Sequence, residues 1–302
     1  MTTVFSPGSI GNVGPGFDVL GLAVDGVGDT VTVELTDGEA RVEKITGRDT
    51  ELVPRDPQKN VAAIAATAWL RNAGIRKQPV VSIDKGLAVA GGMGGSAASA
   101  VGGALAAALA AGVQANATDI MQAALEAETI VAGRHLDNIA ASTLGGLTLV
   151  LSTDPIDAIS IPAPPQWRVV LLTPRVRIET KKAREILPQH WDRASWTRQM
   201  ASTAALAYAF ASADAKLVRR ALDDRYAEPI RAELIPNFRD VKGAALEAGA
   251  LGCSISGSGP TIFAITADND ARVSEAMRAA MREVDCVVHA GVIARRGAHA
   301  IR

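Results

Sequence analysis

Residues 88–98 form a glycine-rich segment between a predicted strand and a predicted alanine-rich helix that begins at Ser96. Glycines let several successive backbone N–H groups point into one concavity, and a helix N-terminus adds partial positive charge. Such a loop favours an anion, most naturally a polyphosphate. It lacks the Gly-Lys-Ser/Thr ending of a P-loop. A glycine-rich helix start packed tightly on a sheet is the structural alternative.

Two further glycine-rich segments lie near the two ends of the chain. Residues 7–18 (PGSIGNVGPGFD) differ from the G-x-G-x-x-G of dinucleotide folds and carry Asn12 and Asp18. An amide and a carboxylate in such a loop suit recognition of a small polar ligand, and an irregular surface turn is the alternative. Residues 252–260 (GCSISGSGP) do not fit G-x-S-x-G, so a hydrolase nucleophile elbow is not supported. A plain hairpin turn remains possible there.

The composition excludes several function classes. Lys plus Arg is 31 and Asp plus Glu is 32, and this balance argues against a nucleic-acid binder. Cys253 and Cys286 match no metal spacing, and such sparing use of cysteine fits a reducing cytoplasm. No signal peptide is visible at the N-terminus. Residues 96–113 are uncharged but mostly Ala and Gly, which favours a buried helix over a membrane span. We therefore expect a cytoplasmic protein without a membrane partner.

The elements that must position these segments are mixed strands and helices. Period-two alternation predicts a hairpin between residues 31–35 and 40–45, turning at Asp37 and Gly38. Helices are predicted at 60–72, from 96 onward, at 117–132 and at 269–283, with strands at 79–84, 145–151, 167–172, 251–256, 261–266 and 286–293. There is no regular βαβ repeat, so we predict an α+β fold. The 302 residues favour two domains, 1–153 and 154–302, divided where four prolines cluster between residues 152 and 166.

The three segments together resemble the motifs of the GHMP kinase superfamily. P-x-x-x-x-N-x-G-P-G-F-D, then G-M-G-G-S-A-A about eighty residues later, and a late S-G-S-G-P occur in the order and spacing of that family. Within it, the resemblance is greatest to the homoserine kinases. It rests on residues 16–22 (GFDVLGL), 135–138 (HLDN) before Gly145, 180–188 (TKKAREILP) and 228–236 (EPIRAELIP).

The resemblance implies a ribosomal-S5-like N-terminal domain, a ferredoxin-like C-terminal domain and an active site between them. It implies ATP with Mg²⁺, phosphorylation of the homoserine side-chain hydroxyl in threonine biosynthesis, and a homodimer. The residues that would surround the amino acid are Asn12, Asp18, His135, Asn138, Thr180, Arg184 and Arg231. Of these, Asn138 and Arg184 would also belong to the catalytic set.

The resemblance also implies a nucleotide site. Asn60 and Lys85 would lie towards the nucleotide, and the phosphates would be held by Ala88, Val89, Ala90, Gly91, Gly92, Met93, Gly94, Gly95, Ser96, Ala97 and Ala98. Ser96 and Glu128 would be catalytic and would lie near Mg²⁺. Two departures from the family pattern bear on this. Gly95 stands where the family usually has a serine, and the run from residue 128 to 135 is about one residue short, which leaves Glu126 as an alternative to Glu128.

The implied chemistry is alignment and charge neutralisation, because phosphoryl transfer needs little covalent help. A guanidinium binds a carboxylate bidentately, so Arg184 and Arg231 suit the substrate carboxylate, and Asp18 suits its ammonium. Solvated helix charges are the alternative for both arginines. Asp137 is a candidate general base, although the homoserine kinases suggest that the hydroxyl proton passes to phosphate. Another GHMP kinase with an isoprenoid alcohol or sugar acceptor, and a non-catalytic metabolite-binding protein, remain as alternatives.

Overall fold

The computed structural model describes residues 1–131 and 133–301. Ala132 and Arg302, which fall in the predicted helix 117–132 and in the predicted C-terminal domain, lie outside the described residues. The strands are β1 (Thr2–Gly11), β2 (Leu20–Thr36), β3 (Arg41–Gly47), β4 (Gln78–Lys85), β5 (Leu147–Thr153), β6 (Ile156–Ile161), β7 (Arg168–Pro174), β8 (Gly252–Ile255), β9 (Ile262–Thr266), β10 (Cys286–Val292) and β11 (His299–Ile301).

The helices interrupt the strands without a repeating order. They are α1 (Val61–Asn72), α2 (Gly95–Ala110), α3 (Ala117–Val131), α4 (Asp137–Leu144), α5 (Thr180–Glu185), α6 (Arg193–Ser212), α7 (Ala215–Ala221), α8 (Glu228–Arg231), α9 (Phe238–Glu247) and α10 (Asp270–Ala280). Short 3₁₀ helices cover Thr50–Leu52 and Ala232–Leu234.

The described strands form two sheets. In the larger sheet the order is β11-β1-β2-β4-β3, and β5 pairs with both β2 and β6. The smaller sheet has the order β10-β7-β9-β8 and is antiparallel throughout. The long strand β2 pairs with two strands along one of its edges. It pairs with β5 at Leu20–Leu22 and with β4 from Thr30 to Thr36. The glycine-rich segment of residues 86–94 connects β4, which lies between β2 and the edge strand β3, to α2.

The predicted hairpin between residues 31–35 and 40–45 is wrong. Strand β4 lies between β2 and β3, and β3 pairs with β4 in parallel. The reason is the apolar content of the strands: β4 contributes the buried Val81 and Ile83, whereas four of the seven residues of β3 are exposed and only Ile45 is buried. The more apolar strand occupies the interior of the sheet, and the polar strand covers its edge.

The core has three main parts. Alanine-rich helices α1, α2 and α3 pack on the larger sheet. A second cluster, which includes Leu22, Trp167 and Phe210, joins the larger sheet to one face of the smaller sheet and to α6. A third cluster covers the other face of the smaller sheet with α9 and α10. The smaller sheet is therefore buried on both faces, and the two sheets share one apolar interface.

The uncharged segment after Ser96 forms the buried helix α2, packed against α1, α3, β1 and β2. In the described part of the chain, no helix combines the length and the apolar character needed to cross a bilayer. The division into domains after residue 153 stays a prediction. Strand β6 pairs with β5 and β11 returns to β1, so a division that follows the hydrogen bonding would fall between residues 162 and 167.

The contact between α1 and α2 generates a stability prediction. A Cβ at Gly103 would lie 2.3 Å from the carbonyl oxygen of Ala62, which belongs to the backbone of α1. We expect Gly103→Ala to lower the free energy of unfolding in urea by about 1–3 kcal/mol because α1 must move away. Gly243→Ala in α9 is the control, since a Cβ there meets nothing within 4 Å. It should raise stability by about 0.5–1 kcal/mol; equal effects at both positions would contradict the packing argument.

Candidate active site

A cavity of about 540 Å³ opens between the two sheets. It is lined by residues from all three glycine-rich segments and from helices α2, α3, α4, α5 and α8. The predicted site residues on its wall are Asn12, Asp18, Asn60, Lys85, Ala88, Val89, Ala90, Gly91, Gly92, Gly94, Gly95, Ser96, Glu128, His135, Asn138, Thr180, Arg184 and Arg231. Met93, Ala97 and Ala98 complete the predicted loop but pack into the hydrophobic clusters or lie buried beneath it.

The phosphate loop, residues 86–95, turns back on itself before α2 begins. Its backbone has positive φ at Ala90 (55°) and at Gly94 (63°), the residue immediately before the helix. No side chain caps the N-terminus of α2. The first N–H groups of a helix need acceptors, and together with the helix dipole they form a site for an anion. The loop therefore has the geometry to hold phosphate oxygens through its backbone.

The third glycine-rich segment braces this loop from the other sheet. Ser256 Oγ donates to the Gly92 carbonyl at 2.6 Å, and Thr261 Oγ1 donates to the Gly91 carbonyl at 2.5 Å. Both residues are buried. Sequence reasoning missed them, because a Ser/Gly turn gives no local signal of which backbone it will contact. Their hydroxyls fix the loop carbonyls away from the cavity.

A buried ion pair lies under the loop. Lys85 Nζ pairs with Asp29 and donates to the carbonyl of Gly95 at 3.1 Å. The other carboxylate oxygen of Asp29 accepts from the N–H groups of Gly86 and Leu87, at 3.1 and 3.2 Å. The pair thus ties both ends of the loop to β2. Asp29 is fully buried, and nothing in the sequence around it indicated this position.

Asn60 also lines the cavity and caps α1. Its Oδ1 accepts from the N–H groups of Ala62 and Ala63, and its Nδ2 donates 2.8 Å to the Pro54 carbonyl. These bonds hold the segment around residues 52–54 against the cavity. The predicted place of Asn60 towards a nucleotide remains a prediction, and its amide is already engaged in the fold.

Ser96 and Glu128 meet across the cavity from α2 and α3. Ser96 Oγ donates to Glu128 Oε2 at 3.1 Å, while the buried Oε1 has no hydrogen-bond partner among the described residues. Burial raises the pKa of Glu128 to about 7. Glu126 points elsewhere: it pairs with Arg71 at 2.5 Å and accepts from Asn72 on α1. The structure therefore brings Glu128, and not Glu126, to the cavity.

These two residues fit a divalent cation. A hard cation such as Mg²⁺ prefers oxygen ligands, and Glu128 Oε1 with the Ser96 hydroxyl supplies two of them. Among the described residues there is no cluster of three or more His, Cys, Asp or Glu side chains suited to a metal. In sites that bind phosphates, Mg²⁺ is commonly held by one or two protein groups, and substrate phosphates and water complete its shell.

Asp18 and Arg184 bind each other at the other end of the cavity. The contact is bidentate, with Arg184 Nη1 2.9 Å from Asp18 Oδ2 and Nη2 2.6 Å from Oδ1. Burial opposes the charged guanidinium, but the hydrogen bonds and charge of Asp18 prevail and raise the pKa of Arg184. His135 Nδ1 lies 3.7 Å from Asp18 Oδ1. The predicted ammonium-binding and carboxylate-binding residues are therefore neighbours.

Arg231 is the most deeply buried cation of the site, with 2% of its surface exposed. Its Nε donates to the Ala183 carbonyl at 3.1 Å and its Nη1 to the Gly257 carbonyl at 2.9 Å. Burial, followed by the charge of Arg184, lowers its pKa. Among the described residues no carboxylate forms a salt bridge with it. Thr180 Oγ1 lies nearby, 3.2 Å from Ser258 Oγ.

Asn12 connects the glycine-rich segment of residues 7–18 to that of residues 252–260. Its Nδ2 donates to the Gly257 carbonyl at 3.1 Å, and its Oδ1 accepts from the Asp18 N–H at 3.0 Å. Its own N–H donates to Asp137 Oδ2 at 3.0 Å. Asn12 therefore shapes the loop that presents Asp18. Asn138 lies beside Gly94 of the phosphate loop, and its Oδ1 accepts from Ser9 Oγ at 2.9 Å.

Two family models match this chain. The model for the GHMP kinases N terminal domain matches residues 60–146, and the model for GHMP kinases C terminal matches residues 206–283. A homoserine kinase of Chloroherpeton thalassium is 41% identical over 297 residues, covering 93% of this chain and 92% of the relative. A homoserine kinase of Arabidopsis thaliana is 40% identical over 269 residues, covering 86% and 72%. The chain belongs to the homoserine kinase family of the GHMP kinases.

A solved structure extends the likeness to three dimensions. The crystal structure of a homoserine kinase from Cytophaga hutchinsonii matches with a TM-score of 0.95 at 36% identity, over 99% of this chain and 97% of that one. The expected two-domain α+β architecture of a GHMP kinase is thereby confirmed, as is the expectation of an ATP-dependent small-molecule kinase. The roles of individual residues stay predictions of the geometry described above.

The phosphate loop of this homoserine kinase family member generates a prediction with a matched control. A Cβ at Gly94 would lie 2.3 Å from Ser9 Oγ and 2.8 Å from Asn138 Oδ1, on a backbone of positive φ. We expect Gly94→Ala to weaken ATP binding at least about 30-fold in calorimetry, because the strain and overlap together reach roughly 2 kcal/mol or more.

The control is the neighbouring residue of the same loop. A Cβ at Gly95 would meet Leu87 Cβ at 3.4 Å, an ordinary contact, and the backbone there is helical. Gly95→Ala should change ATP affinity by no more than about two-fold. Thermal unfolding of both variants separates loss of binding from loss of folding. Intact ATP binding by a folded Gly94→Ala protein would show that this loop does not hold the phosphates.

Proposed function

We propose that the chain catalyses ATP-dependent phosphorylation of the side-chain hydroxyl of L-homoserine to O-phospho-L-homoserine. The observation that carries this proposal is Arg231, a buried guanidinium on the wall of the same cavity as the phosphate loop, without a carboxylate partner among the described residues. A buried cation is costly unless an anion neutralises it. The homoserine kinases that resemble the chain support an amino acid as the source of that carboxylate.

The nucleotide end of the cavity would neutralise the phosphate charge. Backbone N–H groups of the loop and the N-terminus of α2 would bind phosphate oxygens, with Ser96 and Glu128 holding Mg²⁺. The chemistry that Mg²⁺ would supply there is neutralisation of the negative charge that develops during phosphoryl transfer. The ion pair of Lys85 with Asp29 would keep the loop in place while the nucleotide enters and leaves.

The acceptor end would bind a zwitterion by exchange of partners. Asp18 and Arg184 neutralise each other in the structure. An amino acid brings both charges, so its ammonium can bind Asp18 while its carboxylate binds Arg184 and Arg231. Because each charge keeps a partner, the exchange avoids leaving any buried ion unpaired. A sugar or an isoprenoid alcohol without an ammonium offers no such replacement for Asp18.

Asp137 already accepts a hydrogen bond within the fold, which argues against a role as general base. Its Oδ2 accepts from the Asn12 N–H at 3.0 Å, and it is almost fully buried. Burial raises its pKa to about 6. We propose that it holds the Asn12 loop and that the hydroxyl proton passes to the transferred phosphoryl group. The expected homodimer and cytoplasmic location stay predictions.

Glu128 gives a first test of the proposal. We expect Glu128→Gln to lower kcat roughly 100-fold or more, because the transition state loses charge stabilisation from a carboxylate ligand. The Mg²⁺ concentration needed for half-maximal binding of a fluorescent ATP analogue should rise as well. Glu126→Gln weakens contacts with Arg71, Asn72 and Gln122, none of which lines the cavity, and should change kcat by about three-fold at most. A larger loss in Glu126→Gln than in Glu128→Gln would reverse the assignment.

Arg231 gives a second test, which addresses the acceptor. The assay is coupled ADP release with and without L-homoserine. Arg231→Ala should raise the KM for homoserine by about ten-fold to several hundred-fold, since hydrogen bonds to a charged group contribute roughly 1.5–3 kcal/mol. Arg231→Lys should restore little of this, because an ammonium lacks the planar fork of a guanidinium.

The substrate-side control is 3-aminopropanol, which keeps the hydroxyl and the ammonium but lacks the carboxylate. The wild-type enzyme should use it far less well than homoserine, and Arg231→Ala should show little difference between the two. An Arg231→Ala enzyme with the wild-type preference would remove the carboxylate site and favour another GHMP acceptor. A folded wild-type protein that binds ATP without homoserine-dependent turnover would favour the non-catalytic alternative.

A further inference from the structure

The ring of Phe17 contacts both arginines of the acceptor end. The guanidinium carbon of Arg184 lies 4.9 Å from the centre of the ring, and that of Arg231 lies 5.5 Å from it. Both distances are within the range of a cation–π interaction. Phe17 precedes Asp18 directly in the chain, so one short loop provides both the aromatic surface and the carboxylate that binds Arg184.

Phe17 is itself held by an aromatic stack of Phe17, Tyr226 and Trp191. The ring of Tyr226 meets Phe17 edge-on at 5.0 Å between centres, and Trp191 packs on Tyr226 at 5.3 Å. The Tyr226 hydroxyl donates to the Pro188 carbonyl at 3.1 Å. The stack therefore connects the loop of Asp18 to the segment that follows α5, the short helix carrying Arg184.

The guanidinium groups of Arg184 and Arg231 lie close to each other although both are positively charged, so some group must stabilise this arrangement. Their charges repel, and the charge of Arg184 contributes to the lowered pKa of Arg231. The face of an aromatic ring carries partial negative charge and attracts cations without forming a directional hydrogen bond. The ring can therefore hold both guanidiniums without accepting from any of their N–H groups. Several of those groups are engaged elsewhere: Arg184 donates to Asp18 through Nη1 and Nη2, and Arg231 donates to backbone carbonyls through Nε and Nη1.

We propose that Phe17 is a positioning residue that holds the guanidiniums of Arg184 and Arg231 in the arrangement that binds the carboxylate of the amino-acid substrate. This inference rests on the proposed function, since it names how one part of that site selects its acceptor. Phe17 acts through its contacts with the two arginines. Its contribution is thus specific for an acceptor with a carboxylate.

The test compares homoserine and 3-aminopropanol as acceptors for Phe17→Leu. Leucine keeps an apolar side chain but has no π face, so the KM for homoserine should rise about ten-fold. The KM for 3-aminopropanol and that for ATP should each change by no more than about two-fold. A change in the shape of the loop would also displace Asp18, which binds the ammonium that both acceptors carry. The ratio of the two KM values therefore distinguishes arginine positioning from a general disturbance.

Two further variants complete the experiment. Phe17 borders a second cavity of about 690 Å³, which offers space for an added hydroxyl. Because Phe17→Tyr keeps the aromatic ring, the acceptor preference of this variant should stay within about two-fold of wild type. Phe5→Leu is the matched control: Phe5 is also half-buried and packs on a ring, that of His299, but lies away from the cleft. It should leave both acceptors unaffected.

Three results would overturn the inference. These are an unchanged KM for homoserine in folded Phe17→Leu, an equal rise for both acceptors, and a Phe17→Tyr enzyme as impaired as Phe17→Leu. The proposed function fails by a different result, the absence of homoserine-dependent turnover in the wild-type enzyme. A wild-type enzyme that prefers homoserine, with Phe17→Leu retaining that preference, would leave the function standing and remove only the role of Phe17.

Discussion

The contact between the phosphate loop and the smaller sheet is the constraint on which the rest of the active site depends. The loop belongs to the larger sheet, yet the carbonyls of Gly91 and Gly92 are held by hydroxyls of Thr261 and Ser256 from the other sheet. The Gly257 N–H also donates to the Gly11 carbonyl at 3.0 Å. These bonds exist only when the two sheets are docked. The apolar cluster around Trp167 and Phe210 supplies the buried surface that keeps them docked.

Charge balance imposes a second constraint at the acceptor end. Asp18 neutralises Arg184, whereas Arg231 is buried and forms no salt bridge among the described residues. This buried cation is tolerated because two backbone carbonyls accept from it and an aromatic ring lies beside it. The same unpaired charge can attract an anion. Asp18, Arg184 and Arg231 therefore affect both the stability of the fold and the recognition of the acceptor, and a substitution of any of them should alter both.

The resemblance to the GHMP kinases supplied the architecture and most of the predicted residues on the cavity wall, whereas the glycine spacing and the helix start, which are local signals, indicated the phosphate loop. The sequence was insufficient where a residue acts through a distant partner. Asp29 lies outside the predicted strand 31–35 and within the observed strand β2, and only the fold brings it to Lys85. The hairpin was predicted wrongly because local alternation cannot report that β4, forty residues later, competes for the edge of β2. The facing of Glu126 towards α1 likewise depends on how two helices pack.

Gly95 stands where the family usually has a serine, and the groups around it show that the loop does not need a hydroxyl at this position. A side chain at residue 95 would begin 3.6 Å from Lys85 Nζ. That ammonium can donate three hydrogen bonds and already has three acceptors, in Asp29, Ser99 and the Gly95 carbonyl. A hydroxyl at this position would therefore find no free donor there. The N–H groups of the loop and the hydroxyl of Ser96, which are the groups predicted to bind an anion, do not depend on a side chain at residue 95.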